Sequence, residues 1–470
     1  MRIIIGGAGR VGLALTRALS SEKYELVVVD SDSRAVATAQ SLDCLAIHGD
    51  ITSREVLLEA GILNAEIFVA ATPSDESNLI ACAIAEHAHR AKAGKDKLTS
   101  ICRLRDSKFI EEFRGGHLRE WANVNHVVNP LRGAIRRLNA GLRSTDLEEV
   151  VAFEHDAYVL EFDIGETAHS IVNRPLREVK ADFVHGLPNI VGVKRDGEKS
   201  FVPNDDSVLM MGDRIAVAVV GLDKFNPALI TFGHEVSYFP EHPKVVIVGA
   251  SRNGTKMATD WLQHGASVTV LERDLNLANE LAGSKIGAHS NMEVVHGDHL
   301  DKSILEEISI EQYDVALSAL GDDHANIAAV LMMSDLGVPH TGLLLNDADL
   351  VKVTQRMGIS FAVDRHRVAV SNMLTHIHQS LSGHYALLAE IPNVVGITLE
   401  VTERAKFAGK SVGEANFPEW LRPAFIKRMG LSGAWESIEP KPDELLLEND
   451  RVVLFCLKER VSEAQKRFKV

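Results

Sequence analysis

The strongest constraint on this chain is an internal duplication. Residues 2–30 (RIIIGGAGRVGLALTRALSSEKYELVVVD) and residues 244–272 (KVVIVGASRNGTKMATDWLQHGASVTVLE) follow the same order of features. Each has an apolar run, a glycine-rich turn, an amphipathic helical pattern and a second apolar run that ends in a carboxylate. The spacing from Gly7 to Asp30 is 23 residues, and the second copy keeps it. Self-similarity on this scale predicts two copies of one domain.

The similarity extends further along both copies. CLAIHGD at 44–50 matches MEVVHGD at 292–298, and AATPSDESN at 70–78 matches SALGDDHAN at 318–326. Short apolar runs alternate with helical patterns, which is typical of βαβ units and of a parallel sheet covered on both faces. The predicted fold class is therefore α/β, with two Rossmann-like, doubly wound parallel-sheet domains. In the first copy, strands are predicted at 2–6, 25–30, 44–48, 66–70, 98–103 and 126–129, and helices include 10–20 and 76–92.

Each copy is followed by a helical stretch and then by a segment of different character. The stretches at 130–143 and 365–381 have helical patterns. The residues after them are richer in Val, Ile, Pro and Gly and form short alternating runs, which predict a small mixed α/β domain after each copy. The predicted layout is a Rossmann-like domain at 1–143, a small C-terminal domain at 144–222, a linker at 223–242, a second Rossmann-like domain at 243–382 and a second small domain at 383–470.

The first glycine-rich turn has the pattern of a phosphate-binding loop. In GAGRVG, Gly7 permits a tight turn, Gly9 lets backbone amides approach a pyrophosphate, and Gly12 lets the helix pack closely on the strand. The N-terminus of the following helix favours an anion. Asp30 ends the next strand, where it would accept hydrogen bonds from both ribose hydroxyls and repel a 2′-phosphate. The pattern predicts NAD(H), ATP or ADP as cofactor rather than NADP; the alternative is a turn that packs without binding a ligand.

Further polar residues of the first copy fall at the same edge of its predicted sheet. Arg10 lies inside the loop, where a guanidinium can clamp a phosphate. Thr72 and Arg103 end the fourth and fifth strands, and Asp50 ends the third, although surface or capping roles remain alternatives for all four. The candidate cofactor-binding residues of this copy are Gly7, Gly9, Arg10, Val11, Gly12, Asp30, Ser31, Asp50, Ile51, Ala71, Thr72 and Arg103.

The second loop is altered. Its sequence is GASRNG, so Ser251 replaces the middle glycine and its Cβ narrows the approach to a diphosphate. Glu272 replaces the shorter Asp30, and Leu344 or a neighbour stands where Arg103 would be. Ligand binding and a purely structural role are equal alternatives for this copy. Its candidate binding residues are Gly249, Ser251, Arg252, Gly254, Glu272 and Asp298.

The net charge of the chain and the motifs that it lacks exclude several classes of function. A net charge of −15 disfavours nucleic acid as a partner, because phosphate backbones are bound by concentrated Lys and Arg. The early glycines argue against a signal peptide, and we find no long apolar run, so the sequence predicts a cytosolic protein without a membrane span. We find no catalytic motif with its usual spacing and no CxxC pair. The acidic GDDH at 321–324 could attract a cation, but a helix cap explains it equally well. The prediction is a protein that is not an enzyme and has no metal site.

The order of domains, the GxGRxG loop, the HGD tripeptide, the segment ATPSDESN at 71–78 and the segment FVPNDDSVLMMGDRIAVAV at 201–219 together resemble the TrkA family of potassium-uptake regulators. This family is built from domains that regulate potassium conductance, and the resemblance covers nearly the whole chain. Two features depart from its pattern. Ser251 alters the second loop, and END at 448–450 replaces the usual GD of the second small domain.

The resemblance implies a cytosolic regulatory subunit at the inner face of the cell membrane. Such subunits assemble a ring beneath an integral-membrane potassium transporter, and the tandem duplication of this chain favours a homotetramer. They bind NAD(H), ATP or ADP, and nucleotide exchange gates ion flow by changing the shape of the ring. By the same analogy, Arg10 would lie near the terminal phosphate of ATP. The alternatives are an NAD-dependent oxidoreductase and a nucleotide sensor without a membrane partner.

Overall fold

The structure of the chain is a computed structural model. It describes residues 1–468, apart from 21–23, 91–97, 145, 154, 184–185, 237, 380–384, 389, 404, 406 and 431–432. Contacts divide the chain into two compact units, the first made of 1–133 with 365–385 and the second of 134–364 with 386–470. None of the helices among the described residues is both long and apolar enough to cross a membrane.

The first unit is built on a six-stranded parallel sheet, in the order β3-β2-β1-β4-β5-β6. Its central strands are almost fully buried on both faces, as expected for a parallel sheet covered by helices. The strands are β1 (Arg2–Gly6), β2 (Glu25–Asp30), β3 (Leu45–His48), β4 (Ile67–Ala70), β5 (Thr99–Arg103) and β6 (His126–Val128). The helices are α1 (Arg10–Ser20), α2 (Ser33–Gln40), α3 (Arg54–Glu59), α4 (Asp75–Arg90), α5 (Ser107–Arg114), α6 (His117–Trp121) and the start of α7 (Pro130–Gly141).

The second unit contains the first small domain and the second parallel sheet. The elements of the small domain are β7 (Glu149–Ala152), β8 (Ala157–Asp163), α8 (Leu176–Asp182), β9 (Asn189–Lys194) and β10 (Arg214–Val220), and α9 (Phe225–Thr231) follows them. The parallel sheet and its helices are β11 (Lys244–Val248), α10 (Arg252–Gln263), β12 (Ser267–Glu272), α11 (Leu275–Ala282), β13 (Met292–His296), α12 (Lys302–Glu307), β14 (Val315–Ser318), α13 (Asp323–Asp335), β15 (His340–Leu345), α14 (Ala348–Arg356) and β16 (Phe361–Asp364).

The last part of the chain starts with a long helix and ends in the second small domain. Its elements are α15 (Arg365–Gln379), β17 (Tyr385–Leu387), β18 (Val394–Glu400), β19 (Arg422–Met429), β20 (Trp435–Ile438), β21 (Arg451–Leu457) and α16 (Val461–Phe468). The second parallel sheet has the order β13-β12-β11-β14-β15-β16, which repeats that of the first. The small sheets, β7-β8-β10-β9 and β17-β18-β21-β19-β20, are antiparallel in their described pairings. The predicted fold class is therefore confirmed.

The predicted strands of the first copy agree with the structure to within one residue at each end. Helix 76–92 is observed from Asp75 to Arg90 and helix 365–381 from Arg365 to Gln379. Residues 91–92 and 380–381 of those predictions lie outside the described residues. The segment predicted as a linker, 223–242, contains α9.

Two helices pack in a different unit from the parallel sheet that they follow in the sequence. α15 directly follows the second parallel sheet, but it packs on α1, β5 and β6 of the first unit. The end of α7 follows the first sheet but packs in the second unit, where a Cβ at Gly141 would lie 2.3 Å from the Phe361 ring. The chain therefore crosses between the units three times, at 133–134, 364–365 and 385–386.

Each small domain contains an equivalent ion pair, and the turn before its aspartate explains the unusual END sequence. The guanidinium of Arg195 donates two hydrogen bonds to the buried Asp213, at 2.8 and 2.7 Å. Arg428 donates in the same way to Asp450, at 2.9 and 2.8 Å. The residue before each aspartate is left-handed, with φ of +78° at Gly212 and +68° at Asn449. Asparagine tolerates this conformation better than most residues, so END preserves the turn that GD makes.

Candidate nucleotide site

The first loop is tightly packed at Gly7 and Gly12 and has open space at Gly9. Gly7 has φ +108°, and a Cβ there would lie 3.1 Å from the backbone nitrogen of Thr72. At Gly12, a Cβ would lie 1.8 Å from the carbonyl oxygen of Gly7, so helix α1 can sit this close only without a side chain. Gly9 is exposed, and a Cβ there would meet no atom of the described residues within 4 Å. The space beside Gly9, at the N-terminus of α1, is the kind of place in which backbone amides receive a phosphate.

Asp30 is fixed beside this loop by backbone amides. Its Oδ2 accepts a hydrogen bond from the Ala8 nitrogen at 2.5 Å, and its Oδ1 accepts one from the Asp32 nitrogen at 2.8 Å. The side chain is half-buried and the next residue, Ser31, is exposed. Because each carboxylate oxygen has a second lone pair, the group can still accept hydrogen bonds from a ribose.

The residues after the third strand form the flank of the site. Asp50 is exposed, and its Oδ1 accepts hydrogen bonds from the backbone nitrogen and the hydroxyl of Thr52, both at 2.8 Å. These two hydrogen bonds lower the pKa of the Asp50 carboxyl. Ile51 is buried and packs over Gly6, where a Cβ would lie 3.1 Å from its Cγ2 atom. Val11 and Ala71 are also buried, so these apolar residues shape the floor of the site.

Thr72 is held by a buried residue that the sequence analysis missed. The Thr72 hydroxyl donates to Oδ1 of Asn78 at 2.7 Å, and its backbone nitrogen donates to the same oxygen at 3.0 Å. The Asn78 amide donates to the carbonyl oxygens of Thr72, at 3.1 Å, and Arg103, at 2.9 Å. Asn78 thus ties the ends of β4 and β5 together. Its repetition as Asn326 in the second copy was the available signal.

Arg103 brings a partly buried cation to the end of β5. Its Nη1 donates to the carbonyl oxygen of Ala71 at 3.4 Å, while its buried Nε has no hydrogen-bond partner among the described residues. Burial lowers the pKa of Arg103, as do the charges of Arg105 and Arg365, whereas Asp75 raises it. A buried guanidinium nitrogen beside like charges favours the approach of an anion.

Arg105 and Arg365 were not among the predicted residues. Arg105 donates from Nη2 to the carbonyl oxygen of Pro73, and its Nε lies 3.7 Å from Oδ1 of Asp75. It therefore stands over the loop between β4 and α4. Arg365 is the first residue of α15, which joins this unit from a distant part of the chain. Arg10, which was predicted, is exposed at the start of α1.

The second loop repeats the backbone of the first. Gly249 has φ +99°, and a Cβ at Gly254 would lie 1.8 Å from the carbonyl oxygen of Gly249. Oε2 of Glu272 accepts a hydrogen bond from the Ala250 nitrogen at 2.6 Å, and Oε1 accepts one from the Asp274 nitrogen at 2.8 Å. Glu272 is therefore fixed as Asp30 is, but it is buried.

The polar surroundings of the second loop differ from those of the first. Ser251 donates from its hydroxyl to the carbonyl oxygen of Ala319 at 2.8 Å. Sheet register places Leu344 where the first copy has Arg103, and Leu320 takes the place of Thr72. His299 takes the place of Ile51, and burial lowers its pKa. Arg252 is exposed at the start of α10. Asp298 precedes His299 in the sequence, and its Oδ1 accepts a hydrogen bond from the Leu300 nitrogen at 3.0 Å.

The two parallel-sheet copies match one known protein family. The TrkA-N domain matches residues 3–130 and 245–364, which together make up more than half of the chain. The chain belongs to the TrkA-N domain family. Both matches include the glycine-rich loop and the carboxyl ends of the strands that surround it. The family resemblance seen in the sequence is thereby confirmed.

Relatives of this family match over their full length. The Trk system potassium uptake protein TrkA of Azorhizobium caulinodans is 25% identical over 477 residues, covering 100% of this chain and 99% of the relative. The protein of that name from Haemophilus influenzae is 25% identical over 475 residues, with coverages of 100% and 98%.

Among solved structures, the GsuK channel bound to NAD matches 99% of this chain and 78% of its own, at 19% identity and a TM-score of 0.54. The GsuK RCK domain matches 99% and 94%, at 19% identity and a TM-score of 0.53. These likenesses show a shared fold.

The first site combines an open glycine loop, a fixed carboxylate and several guanidinium groups, which suit a ribose and phosphates. Within the described part of the chain, no cluster of three or more His, Cys, Asp or Glu side chains is arranged to hold a metal ion.

Proposed function

We propose that this chain is a regulatory subunit of a membrane potassium uptake system and that it is controlled by an adenine nucleotide at the first glycine loop. The names of its full-length relatives support the role in potassium uptake. The observation that carries the nucleotide is the open space at Gly9, with the fixed carboxylate of Asp30 on one side. The guanidinium of Arg103 lies at the end of β5, and its Nε has no hydrogen-bond partner among the described residues. We expect a binding protein and not an enzyme.

The proposed ligand is NAD(H), ATP or ADP. Asp30 would accept hydrogen bonds from the ribose hydroxyls, and its charge would reject the 2′-phosphate of NADP. The loop amides, Arg10 and Arg103 would receive the phosphates. The remaining proposed ligand residues line the same edge and are Gly7, Gly9, Val11, Gly12, Ser31, Asp50, Ile51, Ala71 and Thr72.

The second loop is proposed to bind the same ligands more weakly. Ser251 occupies the space that is open at Gly9, and Leu344 supplies no charge where Arg103 does. The residues that would contact a ligand there are Gly249, Ser251, Arg252, Gly254, Glu272 and Asp298. We expect one strong and one weak site per chain.

The proposed assembly is a homotetrameric ring at the inner face of the cell membrane, held there by an integral potassium transporter. Within each chain we retain the domain division proposed from the sequence. Nucleotide can gate the transporter only by binding two forms of the ring unequally, and about 1–3 kcal/mol of coupling is enough. Nucleic acid has no part in this function.

The nucleotide proposal is tested by titration calorimetry of the full chain with NADH, NAD, ATP, ADP and NADP. We expect tight binding of one or more of the first four, weak binding of NADP and close to one strong site per chain. Asp30→Ala should weaken binding at the strong site, and the matched variant Glu272→Ala should leave it unchanged. Absence of binding, or a preference for NADP, would contradict the proposal.

The partner proposal is tested separately. The tagged chain, expressed in a cell with an integral-membrane potassium transporter of the Trk type, should copurify with it from solubilised membranes. Potassium uptake should then depend on the chain and respond less to nucleotide in the Asp30→Ala variant. Rapid turnover of NADH or NAD by the purified chain would instead favour an oxidoreductase.

A further inference from the structure

The start of α15 brings a cation from a distant part of the sequence to the first unit. Arg365 begins this helix and is half-buried, whereas Arg367, two residues on, is exposed. α15 packs on α1, β5 and β6. β5 ends in Arg103 and α1 begins with Arg10, so α15 adjoins two elements of the proposed phosphate site.

The direction of α15 can be fixed from two contacts. Near its end, the His376 ring stacks on that of His126, the first residue of β6, with centroids 4.5 Å apart. Near its beginning, Val368 lies against Gly133, which follows the carboxyl end of β6, and a Cβ at Gly133 would be 2.8 Å from Val368 Cγ1. The helix therefore starts at the carboxyl edge of the sheet. With a rise of about 1.5 Å per residue, the start of the helix lies about 16 Å from His376. The two residues from His126 to Val128 span only about 7 Å, so Arg365 lies beyond the carboxyl ends of β5 and β6.

The charges at this edge agree with the direction of the helix. Arg365 and Arg105 both act on Arg103, whose pKa they lower, and Asp75 is the acidic group that opposes them. One oxygen of Asp75 is already occupied by the backbone nitrogens of Arg105, at 2.8 Å, and Asp106, at 2.7 Å. Guanidinium groups remain charged at any physiological pH, so the combined charge of Arg103, Arg105 and Arg365 stabilises an anion that enters beside them.

We propose that Arg365 contacts the terminal phosphate of the nucleotide in the first site and makes that site favour a triphosphate over a diphosphate. This inference rests on the proposed function of the site. Its physical basis is charge, since a triphosphate brings more negative charge to the same group of arginines than a diphosphate does. Arg365 and the rest of α15 belong to the first unit, although the residues directly before Arg365 in the sequence belong to the second.

The test is calorimetry of the full chain with ATP, ADP and AMP in magnesium-free buffer. We expect the wild-type protein to bind ATP about tenfold more tightly than ADP, and Arg365→Gln to reduce that ratio to below about threefold, since a charge-assisted contact is lost. AMP should bind both proteins equally within about twofold, which shows that the variant site is intact. Arg367→Gln is the matched control and should keep the wild-type ratio.

The outcomes separate the inference from the function on which it rests. Wild-type binding without a preference for ATP, or an unchanged ratio in Arg365→Gln, overturns the role of Arg365 and leaves the nucleotide site standing. No binding of any adenine nucleotide by the wild-type protein overturns both. If Arg365→Gln does not fold, Arg365→Met keeps the apolar stem of the side chain without its charge. Its ATP-to-ADP ratio should also fall below about threefold, and an unchanged ratio would again overturn the proposal.

Discussion

The two glycine loops of this chain share a backbone and differ in what surrounds it. Gly7 and Gly249 have left-handed φ values, and a Cβ at Gly12 or Gly254 would in each case lie 1.8 Å from a carbonyl oxygen of its own loop. In both copies an acidic side chain accepts a hydrogen bond from the second residue of the loop. These shared features are the ones that a strand, a turn and a helix need in order to pack.

The differences between the two loops fall at positions that we propose to contact a ligand. The first copy has open space at Gly9 and a cation at Arg103, and the second has a hydroxyl at Ser251 and an apolar side chain at Leu344. A duplicated fold can thus keep the residues of a nucleotide-binding pattern that pack the strand, turn and helix, and change the residues that would contact the ligand. The glycines alone therefore indicate the fold, and the residues at the strand ends indicate the ligand.

The largest effect that can test this comparison is on stability. Gly12→Ala and Gly254→Ala should each destabilise the chain by about 3 kcal/mol, because the added methyl meets a carbonyl oxygen at 1.8 Å. Gly9→Ala adds the same methyl where the described part of the chain places no atom within 4 Å, and it should change stability by less than about 0.5 kcal/mol. Urea unfolding measures all three. If only the first-copy variant were destabilised, the two loops would not be equivalent in packing.

The next effect is on binding at the strand ends. Arg103→Leu gives the first copy the residue of the second, and it should weaken ATP binding about 30-fold, since hydrogen bonds from a charged donor are lost. The melting temperature should not fall, because the guanidinium is partly buried and has one nitrogen without a partner among the described residues. Calorimetry and thermal unfolding measure the two quantities. The reverse change, Leu344→Arg, should create no strong second site, because Ser251 is still in place.

A smaller effect is expected from exchanging the middle residues of the loops. Gly9→Ser should weaken nucleotide binding about tenfold by placing a side chain in the phosphate cradle. Ser251→Gly removes the hydrogen bond to Ala319 and should destabilise the chain by about 1 kcal/mol while strengthening the weak site. Calorimetric stoichiometry and urea unfolding separate these results. Tight binding by the Gly9→Ser variant would show that the phosphates lie elsewhere.

Most of the fold followed from the sequence because its signals are local. Buried strands of a parallel sheet are continuous apolar runs, and glycine or a polar turn ends them, so the strand limits of the first copy are predictable to within one residue. The left-handed Asn449 was read as a departure, because its equivalence to Gly212 is a property of backbone conformation and not of composition.

The parts that could not be predicted depend on contacts between distant residues. A helical pattern shows which face of α15 is apolar, but not that the helix packs on α1 and so belongs to the first unit. The placement of Arg365 near Arg103 could therefore not be predicted from the sequence. Asn78 and Arg105 were missed for a related reason, since hydrogen bonds across strand ends leave no periodic pattern in the sequence.

The smallest expected effect comes from the last difference between the copies, His299 in place of Ile51. Burial holds the pKa of His299 below that of an unfolded histidine, so between the two pKa values the unfolded chain binds more protons. The neutral, folded form is favoured above pH about 6.5, and this part of the stability is lost as the pH falls through that value toward the folded pKa. His299→Ile should reduce the loss of unfolding free energy between pH 7 and pH 5, measured by urea unfolding at each pH. A partial decline should remain, because burial also lowers the pKa of His340. An unchanged pH dependence in His299→Ile would mean that His299 is as easily protonated in the folded chain as in the unfolded one, and that the two copies do not differ in this respect.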